Sequence, residues 1–124
     1  LEDKVFFPGF VNRAEMLPLY LRCQFALVPT NVETFGHCIV EPFVLGRVVL
    51  TRHIGVADDI IRHGETGFFF EGERDLLELL LNILPDHDLC ARVAGNARRA
   101  REPFRWEPVC QKHFELIYNL PVAK

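Results

Sequence analysis

The sequence predicts an α/β fold, a Rossmann-like parallel sheet with flanking helices, from two observations. The runs Phe25–Val28 and Val48–Thr51 are almost entirely apolar, which is typical of parallel strands buried on both faces. Segments with helical spacing alternate with these runs, and turn residues separate them. Such a strand–helix–strand rhythm gives right-handed crossovers and a parallel sheet. Because ligands of these sheets bind beyond the carboxyl ends of the strands, site residues are expected there.

The first predicted elements are a strand and a helix. Val5–Phe7 is a short β-type run that the turn residues Pro8–Gly9 close. Asn12 followed by Glu15 has the pattern of a capping box, which predicts a helix over residues 13–22. The apolar run Phe25–Val28 then supplies the second strand.

The remaining elements complete the alternation of strands and helices. A helix is expected to end at Gly46, since glycine is the favoured residue just past a helix end. Leucines at helical spacing between Leu76 and Leu84 indicate an amphipathic helix that covers the sheet. Beyond Val48–Thr51, we predict a short helix over residues 56–61, a strand over 66–70, and helices over 74–84, 89–101 and 108–119.

Composition narrows the class of protein. The 124 residues are 49% hydrophobic and 25% charged, as in an ordinary globular domain. A net charge of −3 argues against a nucleic-acid-binding function. The four cysteines lack metal-ligand spacing, which favours reduced, buried thiols in a cytoplasmic protein. The dense apolar run over residues 76–84 is too short to span a bilayer.

The stretch N-V-E-T-F-G-H-C-I-V-E-P, residues 31–42, sets Glu33 and Glu41 around an apolar middle. If a helix begins near Phe35 and Gly36, its first N–H groups and its dipole attract an anion. Glu41 then lies about 7.5 Å along the helix axis from Gly36. This layout suits a ligand with a central diphosphate and a hydroxylated ring at each end, such as a nucleotide sugar. The alternative is a helix cap followed by a solvent-facing carboxylate.

Motifs along nearly the whole chain resemble those of the family 4 retaining glycosyltransferases, also called glycosyl transferases group 1, which have the GT-B fold. E-T-F-G-H-C-I-V-E at residues 33–41, followed by Gly46 and V-V-L, is similar to the family pattern E-x-F-G-x-x-x-x-E with a later G-x-P-V-V. Further segments resemble family motifs in the same order: V-F-F-P-G-F-V from residue 5, F-A-L-V-P-T from 25, H-G-E-T-G-F-F-F from 63 and F-R-W-E-P-V from 104. The resemblance implies the carboxyl-terminal, donor-binding half of a GT-B enzyme.

The resemblance also implies roles for individual residues. Glu33 matches the acid that touches the donor sugar near the reacting centre, so it is the predicted catalytic residue. Glu41 matches the acid that binds the ribose hydroxyls, and Val11 lies where the family contacts the base through the main chain. Backbone N–H groups expected to approach the sugar and diphosphate belong to Phe35, Gly36, His37 and Cys38. The implied enzyme needs no metal ion and no cofactor beside its nucleotide-sugar donor.

By the same resemblance, the parent enzyme transfers a hexosyl unit to a glycan or lipid-linked acceptor, with retention of configuration, as in polysaccharide biosynthesis. The chain begins without methionine on a strand-like segment, so residues 1–124 are expected to be a partial nucleotide-sugar-binding domain. The first strands and the acceptor domain would lie elsewhere, and this piece alone is expected to be inactive. A basic run at residues 98–101 leaves open peripheral contact with the cytoplasmic face of a membrane.

Two alternatives remain open at this stage. A sugar-nucleotide epimerase shares the architecture, and a binding or assembly module could keep the fold without activity. Pro42 bears on the second, because proline lacks an N–H and clashes with the carbonyl four residues before it. It predicts a kink in the helix, or a helix that starts near Glu41.

Overall fold

The computed structural model describes residues 2–118 as three parallel strands with helices on both faces. The strands are β1 (Phe25–Val28), β2 (Val48–Thr51) and β3 (Phe68–Phe69). The helices are α1 (Arg13–Arg22), α2 (His37–Val44), α3 (Ala57–Ile60), α4 (Glu73–Ile83), α5 (His87–Ala100) and α6 (Trp106–Tyr118), with 3-10 turns at Glu2–Lys4 and Glu102–Phe104. The predicted α/β fold class is therefore confirmed.

The strand order β1-β2-β3 places β2 in the middle of the described sheet. Phe25 lies opposite Val48, and Thr51 lies opposite Phe69. All four side chains of β2 are buried, as its apolar run predicts. In β1, however, Leu27 is 48% exposed, so burial on both faces is wrong for this strand. The reason is its position, since β1 forms an edge of the described sheet.

The core lies on both faces of β2, because successive side chains of a strand point to opposite sides. On one face, Val49 belongs to a cluster with Ile39 and Phe43 of α2. On the other face, Leu50 belongs to a cluster with Val93 of α5. Burial against β2 thus fixes where α2 starts relative to the edge of the sheet.

The predicted strand over Val5–Phe7 is not formed. These residues have no strand assignment, and Phe6 and Phe7 are 83% and 86% exposed. A strand needs a hydrogen-bonded neighbour, and the ladder of the described residues contains only β1, β2 and β3. Apolar β-type residues alone therefore did not produce a strand here.

Two other elements have different bounds from those predicted, and local hydrogen bonds explain the difference. The third strand is shorter than predicted because the Thr66 hydroxyl is engaged by the preceding turn: it accepts the Arg62 N–H at 2.8 Å and donates to the Ile60 carbonyl at 3.1 Å. Helix α5 starts before residue 89 because Asp86 caps it, accepting the Leu89 N–H at 2.8 Å. The predicted end of the last helix, residue 119, lies outside the described residues.

Candidate functional site

The carboxyl ends of the three parallel strands lie at one edge of the sheet. Two loops leave this edge, one over residues 29–36 from β1 to α2 and one over residues 52–56 from β2 to α3. In the first loop, the Thr30 hydroxyl donates to the Val32 carbonyl at 3.1 Å. The first loop carries Glu33, and the second carries Gly55, which lies against Glu33.

The start of α2 presents backbone N–H groups. Gly36 is its N-cap in the left-handed region, with φ 87°, and its carbonyl accepts the N–H of Ile39 and Val40 at 2.9 and 3.0 Å. Because the N-cap is glycine, it has no side chain that could accept a hydrogen bond from the first N–H groups of α2. The N–H groups of His37 and Cys38 belong to the first turn, where a helix has no acceptor of its own. This end can therefore receive an anionic ligand.

Glycine is required at position 36 for a second reason. A Cβ there would lie 3.1 Å from Val56 Cγ1 and 3.3 Å from Ile39 Cδ1. The β2–α3 loop thus packs directly on the start of α2, which holds its first turn in place. A methyl group there would require the Val56 and Ile39 side chains to shift.

Glu33 is half-buried on the loop before α2. The Cys38 thiol donates a hydrogen bond to its Oε1 at 3.4 Å. Its backbone rests beside Gly55, since a Cβ on Gly55 would lie 3.4 Å from the Glu33 carbonyl oxygen. Both the side chain and the backbone of Glu33 are therefore contacted by residues from other segments.

Glu41 lies within α2 and faces α1. Its Oε1 is 3.7 Å from Nη2 of Arg13, whose side chain is 89% exposed. An exposed ion pair of this kind contributes little to stability, so a ligand hydroxyl could replace the arginine. Glu41 also lines a cavity of about 280 Å³ between α1 and α2, with Met16, Tyr20 and other residues of the two helices. Glu33 is not among the residues that line this cavity.

The two acids act on the same thiol. Burial, the hydrogen bond to Glu33 and the charges of Glu33 and Glu41 together raise the pKa of Cys38 to about 11, with burial the largest cause. Burial also raises the pKa of Tyr20, with added contributions from Glu41 and Cys38. The Cys38 thiol therefore contacts Glu33 and also responds to the charge of Glu41, three residues later in α2.

The other predicted residues lie around this group. Phe35 is exposed, and its ring centroid is 5.0 Å from that of His37. Val11 is half-buried and precedes Asn12, the N-cap of α1. Its connection to the acids is indirect, through the first residue of α1, Arg13.

Pro42 does not move the start of α2. The helix begins at His37 and continues through Pro42, which is buried, to Val44. The interpretation in which the helix starts near Glu41 is therefore wrong. Because Pro42 is the sixth residue of the helix, it removes only the hydrogen bond to the Cys38 carbonyl.

Residues 1–100 match the sequence pattern of the family described as Glycosyl transferases group 1. The chain belongs to this family. Its fold is that of the carboxyl-terminal domain of GT-B glycosyltransferases.

The chain also resembles individual proteins and solved structures. The chain is 27% identical over 110 residues to alpha-monoglucosyldiacylglycerol synthase of Acholeplasma laidlawii, which covers 89% of this chain and 27% of that protein. The crystal structure of Anabaena HepE in complex with UDP superimposes with a TM-score of 0.82 and 29% identity, over 96% of this chain and 33% of that one. A complex of HepE with UDP-glucose gives a TM-score of 0.73 and 28% identity, over 84% of this chain and 30% of that one. The chain thus spans about a third or less of these proteins.

Three contacts at the edge of this glycosyltransferase domain were not predicted from the sequence. Arg13 reaches Glu41 from another helix, and Gly55 lies against Glu33 from another loop. His53 Nδ1 lies 2.6 Å from Asp58 Oδ1, and its ring stacks on Phe69 at 3.8 Å. Only the capping box of α1 gave a signal, because it fixes Arg13 as the first residue of that helix.

Two further observations concern metals and membranes. In the described part of the chain, no three or more His, Cys, Asp or Glu side chains are grouped so that they could hold a metal ion. Over the same residues, the helices are too short or too polar to span a bilayer.

Proposed function

We propose that this chain forms the donor-binding part of a retaining glycosyltransferase that uses a nucleotide-linked hexose, with UDP, GDP or ADP as the nucleotide. The observation that carries the proposal is the start of α2, where first-turn backbone N–H groups follow Glu33 and precede Glu41 along the chain, at the carboxyl edge of a parallel sheet. The complexes of Anabaena HepE with UDP and with UDP-glucose support it, because that protein shares the fold at 28–29% identity.

Each part of the donor has a partner in this proposal. The N–H groups of residues 35–38 approach the diphosphate and the sugar, where the helix dipole favours negative charge. Glu41 accepts hydrogen bonds from the ribose hydroxyls once Arg13 moves aside, and Glu33 accepts them from the sugar. Val11 contacts the base through its backbone.

The proposed transfer occurs on one face of the sugar. The bond between the anomeric carbon and the diphosphate oxygen breaks, and the acceptor oxygen forms a new bond on the same side. The departing diphosphate takes the acceptor's proton, so the protein supplies no nucleophile and the step needs no metal ion. The contribution of the α2 amides and of Glu33 is orientation and stabilisation of the developing charge.

The acceptor and the location follow from the same proposal. We propose a glycan or a lipid-linked acceptor, bound by a separate domain of the full-length protein. The lipid product in the name of the Acholeplasma relative is one precedent within the family. A cytoplasmic location fits the four free cysteines of the chain, although the expected burial holds only for Cys90 and is wrong for the exposed Cys23. Peripheral membrane contact is proposed from the basic run at residues 98–101.

The test uses the full-length protein with UDP-, GDP- and ADP-glucose. Calorimetry measures the binding of each donor, and NMR of the product reads the configuration of the anomeric carbon. We expect one donor to bind and its configuration to be kept in the product. Inversion would exclude the retaining mechanism, and a change at C2 without transfer would identify an epimerase. Binding without transfer or donor hydrolysis would identify a non-catalytic module, and no binding at all would overturn the proposal.

A further inference from the structure

The Cys38 thiol contacts one of the two acids of the site. Cys38 is the second residue of α2, and its Sγ is 3.4 Å from Glu33 Oε1. The charges of both Glu33 and Glu41 act on it. The side chain is half-buried and packs against the core on the α2 face of the sheet.

We propose that Cys38 is a positioning residue whose thiol hydrogen holds the Glu33 carboxylate in the orientation that meets the donor sugar. This inference rests on the proposed function, since it assigns a purpose to the orientation of Glu33. It adds a side-chain role to a residue for which only the backbone N–H was expected to matter.

The contacts of Glu33 explain why such a residue is needed. A glutamate on a loop has several rotatable bonds, and ordering them costs free energy. Gly55 lies against the Glu33 backbone rather than its carboxylate, since a Cβ on Gly55 would be 3.4 Å from the Glu33 carbonyl oxygen and 3.9 Å from its Cβ. In the part of the chain that the structure describes, the Cys38 thiol gives that carboxylate its one hydrogen bond.

A neutral donor suits this task better than a charged one. A lysine or arginine beside Glu33 would compete with the sugar hydroxyls for the carboxylate charge. A thiol donates one weak hydrogen bond to one oxygen and leaves Oε2 available. It donates only while protonated, and with a pKa of about 11 Cys38 stays protonated at neutral pH.

The hydrogen bond can be measured without any donor sugar. The S–H stretching band falls in an infrared window that other protein groups leave clear, and it shifts to lower frequency when the thiol donates. The band of Cys38 is isolated by subtracting the spectrum of full-length Cys38→Ala from that of the wild type. We expect a lowered frequency that rises in Glu33→Ala. A Cys38 band at the free-thiol frequency in the wild type would overturn the proposal.

The functional effect is measured by separating nucleotide binding from turnover. UDP carries no sugar, so its affinity should stay within about twofold in Cys38→Ala, whereas kcat with UDP-glucose should fall about three- to tenfold, the effect of one hydrogen bond. Cys38→Ser restores a donor hydrogen and should recover most of the turnover. Cys23→Ser removes an exposed thiol and serves as the matched control.

The outcomes separate this inference from the proposed function. If UDP and UDP-glucose do not bind the wild type, the proposed function fails and the inference fails with it. If they bind and turn over, but Cys38→Ala has wild-type kcat, only the inference fails. If Cys38→Ala and Cys38→Ser lose kcat and thermal stability alike, Cys38 is a packing residue and the inference is again overturned.

Discussion

The two ends of α2 are built differently. At its carboxyl end, the Gly46 N–H donates to the Phe43 carbonyl at 2.9 Å and the Arg47 N–H donates to the Pro42 carbonyl at 2.9 Å. This Schellman pattern, with Gly46 at φ 69°, closes the helix, and Arg101 adds a bond of 3.1 Å to the Val44 carbonyl. At the amino end, the N-cap supplies no side-chain hydrogen bond in the described residues.

Under the proposed function, the amino end of α2 binds the donor and its carboxyl end serves stability. Helix ends that serve only stability are usually capped, since unsatisfied backbone groups cost free energy. Here the open end lies at the carboxyl edge of the sheet, between Glu33 and Glu41. Changes at the start of α2 should therefore affect donor binding or turnover, and changes at its end should affect stability alone.

The largest expected effect is on the reactivity of Cys38, which reports the burial of this thiol and its acidic neighbours at the start of α2. Thiolate, not thiol, reacts with iodoacetamide. Because the pKa of Cys38 is raised from 9.0 to about 11, its alkylation at pH 8 should be about 100-fold slower than that of an ordinary thiol. The rate, read by peptide mass spectrometry, should keep rising until the pH passes about 11. A plateau near pH 9 would mean that neither burial nor the neighbouring acids raise the pKa of this thiol.

Glu41→Ala should weaken UDP binding in the full-length protein about 10- to 100-fold, the effect of hydrogen bonds to a charged group. Calorimetry measures the affinity. The matched control is Glu65→Ala, an exposed glutamate before β3, which should leave the affinity unchanged. Equal affinities for the two variants would remove Glu41 from the nucleotide site.

Glu33→Gln should lower kcat about tenfold while UDP affinity changes less than about twofold. Glutamine keeps the size of the side chain but loses the charge that strengthens its hydrogen bonds to the sugar. Steady-state kinetics with UDP-glucose, beside calorimetry with UDP, separates the two quantities. Full activity would place Glu33 away from the sugar.

The smallest effect compares the two glycines of α2. Gly36→Ala and Gly46→Ala each place an L-residue at positive φ, which costs about 1–2 kcal/mol of unfolding free energy. Gly46→Ala lies against the flexible Arg98 side chain at 2.9 Å, whereas Gly36→Ala meets Val56 at 3.1 Å. Denaturant unfolding should show a loss in both variants, and only Gly36→Ala should also weaken UDP binding. A loss of binding in Gly46→Ala would break the distinction between the two ends.

Local chemistry was enough to predict several elements from the sequence. The apolar run of β2 predicted a buried parallel strand, and Asn12 with Glu15 predicted the start of α1, where both capping-box hydrogen bonds are present. The helix before Gly46 was also predicted, because glycine adopts the positive φ that ends it. These features depend on neighbouring residues in the chain.

Features that depend on distant segments were not predictable in the same way. Val5–Phe7 has the apolar composition of a strand, but within the described residues no strand pairs with it, so the strand predicted there is not formed. The contacts of Arg13 with Glu41 and of Gly55 with Glu33 join different elements. The thiol bond from Cys38 to Glu33 spans only five positions, yet it requires the loop to fold back over the first turn of α2. Sequence spacing alone does not predict that loop conformation.

The most direct test of the open helix end is an amide NMR titration of the full-length protein with UDP-glucose. We expect the N–H resonances of His37 and Cys38 to shift downfield on saturation, as new hydrogen bonds to the donor form. The N–H resonances of Gly46 and Arg47, which already have carbonyl partners, should stay in place. Saturation of the protein without any shift at His37 and Cys38 would contradict the assignment of the donor to this end of α2.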